Sequence, residues 1–161
     1  MSYDNDRRII LGAPDAAKTS IVLVLDQLDQ LAVEIVSATN KAISEVGAGE
    51  LSFPQWRLLA VLGSAPGPMR PNEIAARISA SMPSTSRLVQ RLGRRGLVLS
   101  ARDPRDGRGR LISLTREGDT LRSNVVHRRR ALMEACLADL DANAAQVDAL
   151  RSIAEGLIRL A

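Results

Sequence analysis

The chain has 161 residues and a formal net charge of +4, with 45% hydrophobic and 25% charged residues, which is the composition of an ordinary globular domain. Its single cysteine excludes an intramolecular disulfide and is usual in a reducing cytoplasm, where we expect the protein to reside. No apolar run approaches the roughly 20 residues of a membrane-spanning helix, and the N-terminal residues do not resemble a secretion signal.

The positive charge is concentrated in the middle of the chain. Residues 70–130 contain fifteen arginines and five acidic residues, a net charge of +10 that leaves −6 for the rest. A basic segment between acidic ends is typical of a domain that binds a polyanion such as nucleic acid. Arginine outnumbers lysine 20 to 2 in the whole chain, so the preference for arginine is not by itself evidence of function.

The first part of the chain is expected to be helical after a loose arm over residues 1–14. Apolar residues recur at steps of three and four over residues 15–46, which predicts a long amphipathic helix. Ser52 is placed to cap a second helix, which continues the same spacing as far as Gly63.

Two short helices separated by a tight turn are expected next. Pro71 begins the first of them, over residues 71–80. Ser81 is an N-cap for the second, over residues 82–95, and Gly96 stands where a left-handed C-cap belongs. Two such helices in succession predict a helix-turn-helix.

A β-hairpin and two further helices complete the predicted fold. Residues 97–101 and 110–115 favour strands, joined by an arginine-rich loop. Thr115 caps a fifth helix that extends to about Leu140, and Asn143 begins the last one. The predicted fold class is therefore mainly α with a small β-hairpin wing, a winged helix-turn-helix flanked by long N- and C-terminal helices.

We divide the chain accordingly into a winged helix-turn-helix domain over residues 51–115 and a helical dimerisation region over residues 15–48 and 116–161. The helices outside the winged domain make up about half the chain. The winged domain is too small to bury all the apolar stripes of these helices, so we expect a second copy of the chain to complete their burial.

The helix over residues 82–95 has two different faces at 100° per residue. The inner face is expected in the core and contains Thr85, Leu88, Val89 and Leu92. The outer face contains no acidic residue and consists of Pro83, Ser86, Arg87, Gln90, Arg91 and Arg94. A solvated helix face usually mixes acids with lysines, so this composition favours DNA binding over a surface that only maintains solubility.

Glutamine pairs with adenine and arginine with guanine in the major groove, so we expect Gln90 and Arg87 to read base pairs. Ser84 and Ser86 lie near the helix start, where hydroxyls contact bases or phosphates. The residues expected to bind phosphates are Arg91 and Arg94.

The predicted hairpin loop is rich in arginine and glycine. A hairpin beside a helix in the major groove reaches the adjacent minor groove, whose negative potential attracts arginine. Gly107 and Gly109 flank Arg108, so we expect Arg108 at the tip of the wing. The wing residues that we expect to contact DNA are Arg105, Arg108 and Arg110.

The same loop contains two carboxylates, Asp103 and Asp106, which would repel phosphate if they were unpaired. We therefore expect them to pair with neighbouring arginines such as Arg105 or Arg110 and to stiffen the wing. The alternative is a flexible, solvated charged turn.

From Leu51 to Gly118 the chain resembles the MarR family of bacterial transcriptional regulators. The matching segments are LSFPQWRLLAVL, PNEIAARI, PSTSRLVQRLGRRGLV and DPRDGRGRLISLTREG, of which the wing followed by LT and a glycine is the most specific. The resemblance implies a homodimer on a pseudo-palindromic operator, with the helix at 82–95 as the recognition helix and Arg108 inserted in the minor groove. It also implies that Asp106 is the wing aspartate that forms a salt bridge within the domain.

The resemblance further implies a repressor that a small-molecule effector releases from DNA. Members of the family bind small aromatic anions between the dimerisation helices and the DNA-binding domain, and Trp56 is the candidate aromatic residue for such a site, although its helical spacing is more typical of a core residue. The alternative for Trp56 is a place in the core. A peroxide-sensing branch has a cysteine near its N-terminal helix, whereas the cysteine of this chain, Cys136, is far toward the C-terminus.

No catalytic site, metal site or cofactor is expected. The sequence has no zinc-ligand spacing and no phosphate-cradling glycine loop, and His127 and Cys136 fall on opposite faces of one helix. Two alternatives to a DNA-binding regulator remain open: a winged helix that binds an acidic protein partner through its arginines, and a small enzyme with an active site across the dimer.

Overall fold

The computed structural model of the chain describes residues 16–47, 51–104, 106–137 and 144–160. In chain order its elements are α1 (Ala16–Glu45), α2 (Phe53–Ser64), α3 (Pro71–Arg77), α4 (Met82–Arg94), β1 (Val98–Asp103), β2 (Asp106–Leu114), α5 (Arg116–Leu137) and α6 (Ala144–Leu160). The two strands pair antiparallel as a hairpin. This order confirms the predicted fold, a helix-turn-helix with a wing between flanking helices. The predicted arm over residues 1–14 lies outside the described residues.

The chain divides into two compact units, residues 1–37 and residues 38–161, and α1 crosses the boundary between them. The described part of the first unit is a segment of α1 with many exposed large apolar side chains: Leu23, Val24, Leu25, Leu31, Val33 and Val36. The second unit contains the elements from α2 onward. Within the described residues, no helix is long and apolar enough to cross a membrane.

The hydrophobic core of the second unit joins α2, α3, α4, β2 and α5. Its large, fully buried apolar side chains are Leu58, Leu59, Ile74, Leu92, Ile112 and Val125. Because each element contributes to the same cluster, the position of α4 depends on side chains from the whole unit. Trp56 belongs to this cluster and is 3% exposed, so it occupies the core position that its helical spacing indicates.

The helix caps that the sequence predicts are present. Ser81 Oγ accepts a hydrogen bond from the backbone N–H of Ser84 at 3.3 Å. The backbone N–H of Ser52 donates to Gln55 Oε1 at 2.8 Å. Gly96 follows α4 with a φ of +69°, the left-handed conformation that a glycine adopts without steric cost.

The hairpin is longer than the sequence predicts. The expected strands were residues 97–101 and 110–115, but β1 continues to Asp103 and β2 begins at Asp106. The prediction that residues 102–109 form an open loop was therefore wrong. Glycine, proline and aspartate are typical of turns, yet the ladder hydrogen bonds join backbone N–H and C=O groups, which every residue except proline has.

An ion pair connects the last residue of α1, Glu45, with α5. The Arg128 Nε–H donates a hydrogen bond to Glu45 Oε2. This bond lowers the pKa of Glu45, since it stabilises the carboxylate. The end of α1 is thus attached to the helix that follows the wing.

Thr115 connects the end of α4 with the beginning of α5. Its Oγ1 donates to the carbonyl of Gly96 at 2.6 Å and accepts from the N–H of Gly118 at 2.9 Å. The Thr115 N–H donates to the carbonyl of Leu97 at 3.1 Å. A Cβ on Gly118 would lie 2.0 Å from that same carbonyl oxygen, so α5 approaches the chain closely at this point.

We expect Gly118→Ala to destabilise the protein by about 1–3 kcal/mol, because the added methyl group meets a hydrogen-bonded backbone oxygen that cannot move freely. Chemical denaturation followed by the fluorescence of the buried Trp56 measures the free energy of unfolding. Gly67→Ala is the control, since a Cβ there has no neighbour within 4 Å. Equal stabilities of the two variants would contradict the close approach.

Candidate nucleic-acid interface

Helix α4 is anchored by its inner face and its two ends. Thr85 and Leu92 are fully buried, and Thr85 Oγ1 donates to the carbonyl of Ser81 at 3.1 Å. Leu88 and Val89 are half-buried against the core. The predicted inner stripe of the helix is therefore the observed one. At the far end, the Leu97 N–H donates to the carbonyl of Leu92 at 2.9 Å, which closes the helix over Gly96.

The opposite face of α4 is exposed along its whole length. Its exposed residues are Pro83, Ser84, Ser86, Arg87, Gln90, Arg91 and Arg94. The Ser84 hydroxyl accepts a hydrogen bond from Ser81 Oγ at 2.9 Å, so it takes part in the cap. In the described ranges, the side chains of Arg87, Gln90, Arg91 and Arg94 have neither a hydrogen-bond nor an ion-pair partner. These four side chains are available to a ligand.

The hairpin has an irregular end next to its turn. Arg102 pairs with Arg110, but the next pair is Asp103 with Asp106, so β2 contains three extra residues, 107–109. Arg108 is the middle one of these, whereas the strands are joined by residues 104–105. Arg108 thus lies in a bulge beside the turn rather than in the turn itself. The predicted contact Arg105 lies outside the described residues.

Gly109 leaves the bulge little free space. A Cβ built on Gly109 would lie 3.1 Å from Asp103 Cβ and 3.2 Å from Asp106 Oδ2. A side chain at this position would push the two aspartates apart. The glycine therefore allows the bulge to close against both carboxylates.

The carboxylate of Asp103 pairs with an arginine outside the wing, which sequence reasoning did not identify. Arg70 donates from Nη2 and Nε to Asp103 Oδ2, at 2.6 Å and 3.0 Å. Asp103 is 5% exposed, and its hydrogen bonds raise the pKa of Arg70. Of the partners expected from the sequence, Arg110 donates to Ser100 Oγ at 2.7 Å and to the Ser100 carbonyl at 3.1 Å.

The residue before Arg70 attaches the wing a second time. Met69 and Ile112 exchange two backbone hydrogen bonds, with N···O distances of 2.9 Å and 2.8 Å. Met69 is therefore a one-residue extension of the sheet, beside β2. Because α3 begins at Pro71, the hairpin is attached directly to the start of the helix-turn-helix.

Predicted site residues from α4 and from the wing line one groove. Ser86 and Gln90 of α4 and Arg110 of β2 line a cavity of about 380 Å³ between the helix and the hairpin. The structure thus brings three of the predicted contacts together. The Arg110 side chain is exposed and held along the hairpin by Ser100.

Comparison with known proteins agrees with this arrangement. The sequence model of the MarR family matches residues 50–109. A homoprotocatechuate degradative operon repressor from Escherichia coli is 33% identical over 97 residues, which are 58% of this chain and 65% of the repressor. The PcaV transcriptional regulator from Streptomyces coelicolor is 30% identical; the match covers 78% of this chain and 89% of PcaV, with a TM-score of 0.54. The chain belongs to the MarR family.

A more distant structure has the same fold as this MarR-family chain. RV1404 from Mycobacterium tuberculosis is 24% identical and has a TM-score of 0.74 over 85% of this chain and 93% of its own. The match extends well beyond the segment that the family model covers. The helices outside the winged domain therefore belong to the shared fold as well.

We expect Arg70→Gln to loosen the wing of this MarR-family protein, because the change leaves the buried Asp103 carboxylate without its guanidinium. Amide hydrogen exchange should become about tenfold faster in β1 and β2 and stay unchanged in α4. The double exchange Arg70→Asp with Asp103→Arg should restore part of the protection. Unchanged exchange in the hairpin of Arg70→Gln would show that this pair does not hold the wing.

Proposed function

We propose that the chain is a sequence-specific DNA-binding transcriptional regulator that acts as a dimeric repressor. The observation that carries the proposal is the outer face of α4, which has four unpaired polar or cationic side chains and no carboxylate. This face stands next to an arginine-rich wing that two backbone hydrogen bonds and an ion pair attach to α3. The Escherichia coli relative is named as an operon repressor, which supports the direction of regulation.

The α4 face fits the major groove. A recognition helix contacts base edges with its N-terminal residues and phosphates with its flanks. We assign base reading to Arg87 and Gln90, assisted by Ser86, and further polar contacts to Ser84. The phosphate contacts that we propose in the second half of the helix are Arg91 and Arg94.

The wing fits the adjacent minor groove. Arg108, between two glycines in the bulge of β2, is the residue that we propose to insert there. Arg105 and Arg110 are the proposed neighbouring contacts. Asp103 and Asp106 act on the shape of the wing rather than on DNA, and the buried position of Asp103 supports this role.

We propose a homodimer formed by the helices outside the winged domain, residues 15–48 and 116–161. The exposed apolar side chains of α1 and those of α6, which are Val147, Leu150 and Ile153, support this proposal. A second copy would remove them from water and place two winged domains on one pseudo-palindromic operator. Analytical ultracentrifugation, together with selection of bound sequences from random DNA, tests the dimer and the half-site spacing of about 34 Å.

We also propose that a small-molecule effector relieves DNA binding. The support is that PcaV, which is 30% identical, has been solved in complex with its natural ligand. The relatives named above are regulators, so we propose no enzymatic activity, metal or cofactor. These relatives come from bacteria, whose DNA lies in the cytoplasm, and we propose a cytoplasmic location for this chain.

We expect Gln90→Ala and Arg87→Ala to relax sequence preference by about 1–3 kcal/mol at the contacted base pair, because each removes a hydrogen-bonding side chain from the base edge. Sequence selection with each variant measures this. Binding to random duplex DNA should change far less. If the selected sequences stay the same as for the wild type, the base readers are other residues.

We expect Arg108→Ala to weaken binding to every duplex and to flatten the dependence of affinity on salt, since one fewer cation meets the phosphates. Fluorescence anisotropy at several salt concentrations measures both quantities. Wild-type affinity in this variant would remove the minor-groove role. If the wild-type protein itself shows no micromolar DNA binding at low salt, the alternative of an acidic protein partner replaces the proposal.

A further inference from the structure

A cavity on the side of α4 away from the wing is lined by an arginine of α2 that the sequence pattern did not indicate. Arg57 of α2 lines a cavity of about 460 Å³ together with Arg87 and Arg91 of α4. Two hydroxyl residues, Ser79 and Ser84, line the same cavity, and no acidic residue does. Three arginines thus line one open cavity that no acidic residue lines.

The three arginines are not neutralised within the described part of the chain. The side chains of Arg57, Arg87 and Arg91 form no ion pair and no hydrogen bond there, although those of Arg70 and Arg122 do. Like charges in one cavity repel each other, so their proximity lowers stability unless an anion lies between them. This arrangement is typical of a site for an external anion.

The surroundings of Arg91 strengthen this argument. Arg91, Arg94 and Arg95 line an adjacent cavity of about 400 Å³ with Ser52 and Gln55, at the beginning of α2. The first turn of α2 contains no acidic residue. The amino end of a helix carries a partial positive charge, which disfavours cations nearby and favours an anion.

The turn between α3 and α4 contributes a strained residue to the same place. Ser79 has a φ of +52°, the left-handed region that residues other than glycine rarely adopt. Such strain is often found where the backbone has to present a binding site. Ser79 is exposed at the edge of the cavity.

The position of the cavity identifies the anion. The groove beside the wing is lined by Ser86 and Gln90, whereas this cavity is lined by Arg87 and Arg91, so the two lie on opposite flanks of α4. A helix about 10–12 Å wide fills a major groove of about 12 Å, and its flanks then face the two phosphate backbones. The flank away from the wing therefore faces a DNA phosphate.

We propose that Arg57 and Arg91 form a phosphate clamp, in which α2 contributes a DNA contact on the side of α4 away from the wing. This inference rests on the proposed DNA-binding function and adds a third element to α4 and the wing. Arg87 lies one helical turn before Arg91 and keeps its proposed role at the base edge. The ligand is a phosphate group of the DNA backbone, and free inorganic phosphate competes for the same site.

The clamp predicts a loss of affinity that does not depend on sequence. Arg57→Gln should weaken binding to selected and random duplexes about equally, by about tenfold, and reduce the salt slope by about one unit. Arg57→Lys keeps the charge and should keep most of the affinity. The matched control is Arg77→Gln on α3, which removes the same charge from an exposed arginine that has no described partner and lies outside both the proposed DNA contacts and the proposed dimerisation region.

Neutral methylphosphonates at single positions of a selected duplex locate the contact. At one position, the methylphosphonate should reduce the affinity of the wild type about as much as Arg57→Gln does. At that same position, it should not reduce the affinity of Arg57→Gln any further. At constant ionic strength, inorganic phosphate should displace DNA from the wild type more than chloride does, and this difference should disappear in Arg57→Gln.

The results separate the clamp from the proposed function. If Arg57→Gln binds like Arg77→Gln at every salt concentration while Gln90→Ala alters sequence preference, the clamp is wrong and the function stands. Displacement by phosphate without a methylphosphonate effect would assign the site to free anions and overturn the DNA contact. If the wild type binds no DNA, the clamp and the function fall together.

Discussion

The attachment of the wing to the beginning of α3 is the constraint on which the DNA-binding surface depends. Two consecutive residues make it: Met69 pairs with Ile112 through the backbone, and Arg70 pairs with the buried carboxylate of Asp103. An isolated two-stranded hairpin is only marginally stable in water. Here a third backbone segment and an ion pair fix its direction relative to the helix-turn-helix. An arginine on such a hairpin has a defined distance to α4, which is what the proposed contact with a groove next to that of α4 requires.

The acids and arginines of the second unit have separate tasks. Asp103 is buried in the attachment of the wing, and Asp119 pairs with Arg122 on α5, so these carboxylates serve the fold. The arginines on the outer side of α4 have no such partner in the described residues. Concentrating unpaired cations lowers the stability of the free protein and is offset when a polyanion binds. Net charge counts paired and unpaired arginines alike. It therefore indicates a nucleic-acid partner but does not identify which arginines form the contacts.

Much of the fold could be predicted because its signals are local. Ser81 and Gly96 mark the two ends of α4 because of their own conformational preferences, and Thr115 marks the start of α5 in the same way. The alternation of Thr85 and Leu92 with exposed polar residues predicts which side of α4 is buried, since helical geometry converts spacing directly into a face. The end of the wing could not be predicted in this way. Its glycines and aspartates indicate a loop, but strand pairing depends on a partner strand that no local pattern reveals.

The sequence by itself determined the order of the elements, the two faces of α4 and the family, because each of these depends on residues near one another in the chain. Only the tertiary structure decided that Asp103 pairs with Arg70, thirty-three positions away, and that Arg57 of α2 lines one cavity with Arg91 of α4. The physical reason is that an ion pair or a cavity depends on distance in space. The packing of Leu58, Ile74 and Leu92 in one core sets that distance. A distance between two elements does not produce a periodic pattern in the sequence.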